Sequence, residues 1–180
     1  MTTARLTAPV LGACLSLVAC LTSAQTPAPG TAGKQPTAPA MLQLDDYEIR
    51  ARSLVTRIDA LDREGAKADG EALLTMAASL TPAFIQRQPQ CSDYLSAALR
   101  VRESWTKMDA ASIERDYHSD GLLPPMPADG AVCYHMKDLI VHPATALVLL
   151  TQDPTDFGQA RKEVEEVIAH LGAVRVVLSE

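Results

Sequence analysis

Between residues 42 and 180 the apolar side chains recur at the helical interval and almost nowhere at the strand interval. Tyr47, Ala51, Leu54, Ile58 and Leu61 follow one another at spacings of four, three, four and three, which puts them on one face of a helix predicted over 46–63. Asp45 and Asp46 suit its start, where carboxylates meet the positive end of the helix dipole, and Gly65 suits its stop. A second helix is expected over 69–80, carrying Leu73, Met76, Ala77 and Leu80. Thr81-Pro82 then restarts or kinks it, Phe84 continues the stripe, and Pro89 ends it.

Ser92 or Asp93 caps a third helix, in which Tyr94, Ala98, Val101, Trp105 and Met108 repeat at four, three, four and three. Asp109 restarts it for one or two turns, through Ile113 to Tyr117. Segment 122–129 holds three prolines and is a loop. A fourth helical segment runs from Val132 to near Thr151, with Pro143 either kinking it or opening a new segment. The last helix, capped by Thr155 or Asp156, carries Phe157, Ala160, Val164, Val167, Leu171, Val174 and Leu178. Gly172 weakens it by about 1 kcal/mol relative to Ala, and 173–178 is the one place where a short strand competes. That stripe serves the bundle core or a dimer seam. Apolar residues make up 47% of the chain but aromatics only 4%, so the core is built from Leu, Val, Ile and Ala, which suits helices. The expected fold is all-α: an antiparallel bundle of four main helices plus short segments, in a single domain over 42–180 without internal repeats.

The start of the chain is a targeting segment. Arg5 is the only charge in the first 33 residues, and the 14 residues from Leu6 to Ala19 are apolar or small apart from Thr7, Pro9 and Ser16. Fourteen residues do not span a ~30 Å hydrocarbon core, which needs about 20. The stretch closes on Leu17-Val18-Ala19-Cys20, which resembles the lipobox of bacterial lipoproteins. The resemblance covers the signal sequence alone. It implies that residues 1–19 are removed, that Cys20 becomes the lipid-bearing first residue, and that the protein faces the periplasm. Leu21 after the cysteine, where Asp is absent, implies the outer membrane. Leu11-Gly12-Ala13-Cys14 is a similar tetrad with too short an apolar core before it. Thr22-Ser23-Ala24 offers a rival cleavage site, which gives a soluble periplasmic protein. Residues 25–40, with four prolines, two glycines and no large apolar side chain, form a linker. The linker extends at ~3.1 Å per residue, up to roughly 50 Å, and with Cys20 it makes a tether over 20–41.

Of the four cysteines, Cys14 leaves with the signal, and Cys20 is lipidated or lost. Either route leaves Cys91 and Cys133 in an oxidising compartment, where they are expected to pair in one disulfide; two buried thiols are the alternative. The formal net charge of −6 and the lack of any Lys/Arg run argue against nucleic acid and against a polybasic membrane contact.

Chemistry concentrates between Asp116 and His142. Three of the four histidines lie there: His118, His135 and His142. His135, Asp138 and His142 are three and four apart, so on a continuous helix they share a face. Two imidazoles with a carboxylate suit zinc, copper or iron. Pro143 disfavours helical geometry at His142, and histidines bordering a core also form ordinary local hydrogen bonds. Covalent haem needs a C-x-x-C-H motif that is missing here. Neither Glu166–His170 nor Glu114–His118 has the E-x-x-H spacing of di-iron bundles. No G-x-S-x-G, H-E-x-x-H or phosphate-binding loop is present. Glu163, Glu165 and Glu166 read as a solvated face and Trp105 as core. The first expectation is a non-enzymatic, membrane-tethered binding or scaffolding module of the envelope, with no cofactor and with an envelope protein as partner. The alternative is a metal- or haem-binding bundle, with zinc, copper or haem held by His118, His135 and His142, and Asp138 as a further ligand.

Overall fold

A computed structural model describes residues 37–109, 111, 112, 115 and 122–180. Leu17-Val18-Ala19-Cys20, the linker up to residue 36 and His118 lie outside the described residues. The elements are α1 (Thr37–Asp59), α2 (Arg63–Arg87), a 3-10 turn (Pro89–Cys91), α3 (Ser92–Trp105), α4 (Ala131–Thr151) and α5 (Phe157–Ser179). The expectation of four main helices is corrected: five substantial helices form among the described residues. α1, α2, α4 and α5 pack in a closed ring, each against the next, and α3 lies against α4. The reason is the apolarity of α4. From Met136 to Leu150 every residue of it is buried, so a ring of four leaves its outer side bare and a fifth helix covers it. Among the described residues no helix is long and apolar enough to cross a membrane.

Neighbours in the ring run antiparallel. Arg161 meets Asp59 at 2.9 Å, and Arg175 meets Asp45 at 2.6 Å and Glu48 at 2.9 Å, which orients α5 against α1. The α1–α2 turn is tight. Asp62 N–H donates to the Arg57 carbonyl and Leu61 N–H to that of Ile58, with Leu61 in the left-handed region at φ 56°. This is the hydrogen-bond pattern of a Schellman stop. Asp62 then caps α2 by accepting from Gly65 N–H at 3.0 Å.

The predicted end near Gly65 and start near Asp69 are therefore corrected. Asp69 is buried within α2 and accepts from Arg50 (2.7 Å), Ser53 (2.7 Å) and Arg57 (2.9 Å) of α1. Burial raises its pKa, but these partners outweigh that and hold it below the ordinary carboxylate value. At the start of α1, Pro39 sits in the first turn, where its missing N–H costs nothing, so the helix begins inside the proline-rich stretch. At Gly70, a Cβ would come within 2.9 Å of the Leu147 side chain, so α2 and α4 approach closely there.

α4 passes through Pro143 without a break. Proline has no N–H for the carbonyl four residues earlier, that of Leu139. The buried Tyr47 hydroxyl of α1 supplies the donor, at 2.7 Å. The C-terminal end of α4 is served by Arg63, which donates to the carbonyls of Leu150 (2.7 Å) and Thr151 (2.9 Å). Cys91 and Cys133 form the expected disulfide, with Cα atoms 5.4 Å apart, tying the starts of α3 and α4 together. Trp105 is buried, and 173–178, the competing strand, is helical.

Candidate metal centre

α4 carries His135 and His142 one heptad apart; α5 carries Glu163 and His170 at the same spacing. Because the two helices run antiparallel, their register joins these residues as two pairs. His142 Nδ1 is 2.8 Å from Glu163 Oε2, and His135 Nδ1 is 2.8 Å from His170 Nδ1. Asp138, on the same face of α4, reaches between the pairs: its Oδ2 is 3.1 Å from His170 Nε2. The rings of His142 and His170 stack, with centroids 5.7 Å apart and planes 14° from parallel. One ligating atom from each of Asp138, His142 and His170 lies within 4.8 Å of the other two.

Burial is deepest at Asp138, whose side chain is 0% exposed; His142 is 8% and His170 16% exposed. The His170 pKa is lowered from 6.5 by burial first; the Asp138 charge opposes this, while His142 and His135 add to it. Its imidazole is therefore neutral at neutral pH, the form that ligates a metal. The other nitrogen of each imidazole is held. In the tautomer in which His142 Nδ1 donates to Glu163, Nε2 is the nitrogen able to ligate. Glu163 is fixed in turn by Gln159, whose Nε2 donates to Oε1 at 3.0 Å. With His170 ligating through Nε2, its Nδ1–H donates to His135. Such outer partners set the tautomer and aim of histidine ligands. Lys137, also buried, sits 3.4 Å from Asp138 Oδ1 and 4.2 Å from the centroid of the Tyr134 ring.

Two imidazoles and one carboxylate suit a borderline divalent ion such as Zn²⁺ or Cu²⁺. Hard ions prefer all-oxygen shells, and soft Cu(I) prefers thiolates, whereas Cys91 and Cys133 are locked in a disulfide. The expectation of no cofactor is overturned by this cluster, which is able to coordinate a metal ion.

Of the residues singled out from sequence, Asp138 and His142 fall in the three-residue group. His135 stands behind it as the partner of His170, and His118 lies outside the described residues. Continuity of α4 through Pro143 keeps His142 on the face of Asp138, against the objection that proline removes it. His170 was missed. It had been weighed only against Glu166 on its own helix, whereas its partners come from α4. Glu163, read as part of a solvated face, instead points into the site and is 13% exposed. Glu165 does lie on the surface, paired with Arg161, and Glu166 is exposed. The signal for both misses was present: two heptad-spaced polar pairs on helices joined by a short turn. No protein-family model, curated protein or solved structure matches the chain.

Proposed function

We propose that this chain is a metal-binding helical bundle held at the periplasmic side of the cell envelope, with Asp138, His142 and His170 as the ligands of a divalent transition ion. One observation carries the reading: three donors from two helices converge within 4.8 Å, and Nδ1 of each histidine has an oriented partner. A bare ion fits this arrangement better than haem, because the 3.1 Å contact between Asp138 and His170 has the scale of an ion's coordination shell, not of a macrocycle slot. The polar set also sits on the most apolar helix of the bundle, where a merely structural seam is costly. Metal binding therefore has firmer support than the scaffolding role expected first, and the role is binding rather than catalysis.

Protein purified from the periplasm is expected to carry one equivalent of zinc or copper, measured by elemental analysis. His142→Ala is expected to retain the helical circular dichroism and lose the metal. Metal content unchanged in that variant contradicts the proposal.

The tether belongs to the same reading. Lipid on Cys20 anchors the protein to the outer membrane, and residues 25–36 space the bundle from it. The support is Leu17-Val18-Ala19-Cys20 and the exported disulfide. An envelope protein is the partner class, and the acidic net charge speaks against nucleic acid. Cys20→Ala is expected to move the protein from the membrane fraction to the soluble one. A wild-type protein already soluble, with Gln25 as its first residue, places the cut after Ala24 instead.

A further inference from the structure

His170 Nε2 stands 3.1 Å from Asp138 Oδ2. A nitrogen lone pair that close to a carboxylate oxygen is repulsive, so without metal the proton of a neutral His170 sits on Nε2, facing Asp138. Nδ1 of His170 then carries a lone pair and accepts from Nδ1–H of His135, 2.8 Å away. An ion on Nε2 requires the reverse. His170 then holds its proton on Nδ1 and donates it, so Nδ1 of His135 must accept and the His135 proton must lie on Nε2. We infer that His135 is a positioning residue whose tautomer follows the metal, Nδ1–H without it and Nε2–H with it; this rests on the metal-binding reading above.

The protons balance. His135 Nδ1 passes its proton along the 2.8 Å contact to His170 Nδ1. His170 Nε2 gives its proton to water as the ion takes its place, and His135 Nε2 takes one from water. The pair carries the same charge before and after. The geometry suits this exchange. Donors held about 2.0–2.1 Å from a tetrahedral ion stand about 3.3 Å apart, close to the 3.1 Å between Asp138 Oδ2 and His170 Nε2. The ion therefore replaces a proton with little separation of α4 from α5. Tyr134 meets both rings edge-on, with centroids 6.2 Å from His135 and 5.9 Å from His170, which keeps the two imidazoles facing each other as the protons move. His135 is only partly buried, and its Nδ1 is the nitrogen turned to His170, so water can serve its Nε2.

Nitrogen NMR reads the tautomers directly. The full chain, isotope-labelled and stripped of metal, is titrated with Zn²⁺ at neutral pH, and long-range proton–nitrogen spectra identify the protonated nitrogen of His135. The expected result is a change from Nδ1–H to Nε2–H, complete at one equivalent of Zn²⁺. His135→Ala, which leaves the His170 Nδ1–H without this acceptor, is expected to bind Zn²⁺ about tenfold to hundredfold more weakly. If Zn²⁺ binds in one equivalent and is lost in His170→Ala, but His135 keeps one tautomer throughout or His135→Ala binds as tightly as the wild type, the inference fails while the metal site stands. If no stoichiometric Zn²⁺ binds, or His170→Ala binds it as tightly, the metal-binding reading itself fails and the tautomer change with it.

Discussion

The residue that best shows how this fold tolerates its sequence is Tyr47. Pro143 lies inside the central helix and leaves the Leu139 carbonyl without its usual donor. An unpaired carbonyl there would sit in a dry core, at a cost of about 1–3 kcal/mol. Tyr47, 92 residues away in sequence, donates to it at 2.7 Å. Burial raises the Tyr47 pKa well above its usual value of 10.0, so the hydroxyl stays protonated and remains a donor throughout the physiological range. Tyr47→Phe is therefore expected to destabilise the fold by about 1–3 kcal/mol in urea unfolding. In a Pro143→Ala background, where residue 143 regains its N–H, the same change should cost clearly less. Equal costs in both backgrounds would show that the hydroxyl does not serve that carbonyl. Sequence presents Pro143 as a hazard; its remedy lies on another helix, where no local pattern reveals it.

At the scale of the elements, the apolar stripes were legible and the ends were not. Tyr47, Leu54 and Ile58 on α1, and Val164, Val167, Leu171 and Val174 on α5, are all buried, because the helical period and burial are one constraint. The α1–α2 boundary differs from the expected one because Gly65 and Asp69 lie inside α2 rather than at helix ends. The role of Asp69 as acceptor for Arg50, Ser53 and Arg57 depends on how α1 packs against α2. The site divided in the same way. Asp138 and His142 share a helix face and were readable, whereas His170 and Glu163 needed the antiparallel register of α4 and α5.

α3 buries Tyr94, Leu95, Ala98 and Trp105 in the core, and one covalent link adds to that packing: Cys91, just before α3, is joined to Cys133 in the first turn of α4 across 42 residues. Closing a loop of that length stabilises by about 4 kcal/mol at most. Cys91→Ser and Cys133→Ser are each expected to lower stability to a similar degree, and the double variant to fall little further. A thiol assay finding two free cysteines in the exported wild-type protein would contradict the link.

For the whole molecule, the governing fact is that the most buried helix carries the polar seam. Lys137, Asp138, His142 and Thr145 are all buried on α4. Replacing buried ionic groups by apolar residues of similar volume is often neutral or stabilising, so this seam costs stability that a structural role does not require. An ion bound only by the native state, as proposed above, would offset it by mass action. Protons compete for the same nitrogens. Burial first of all lowers the His170 pKa from 6.5, so protons compete for that ligand at lower pH than for an exposed imidazole. Zinc affinity is expected to fall as the solution is acidified. The most direct test is calorimetric titration of the metal-stripped chain with Zn²⁺ at pH 7, for the wild type and for His170→Ala. The account predicts one equivalent bound by the wild type and at least a hundredfold weaker binding in a variant that keeps its helical circular dichroism. A His170→Ala protein that binds zinc as tightly as the wild type, or a wild type that binds none, would contradict it.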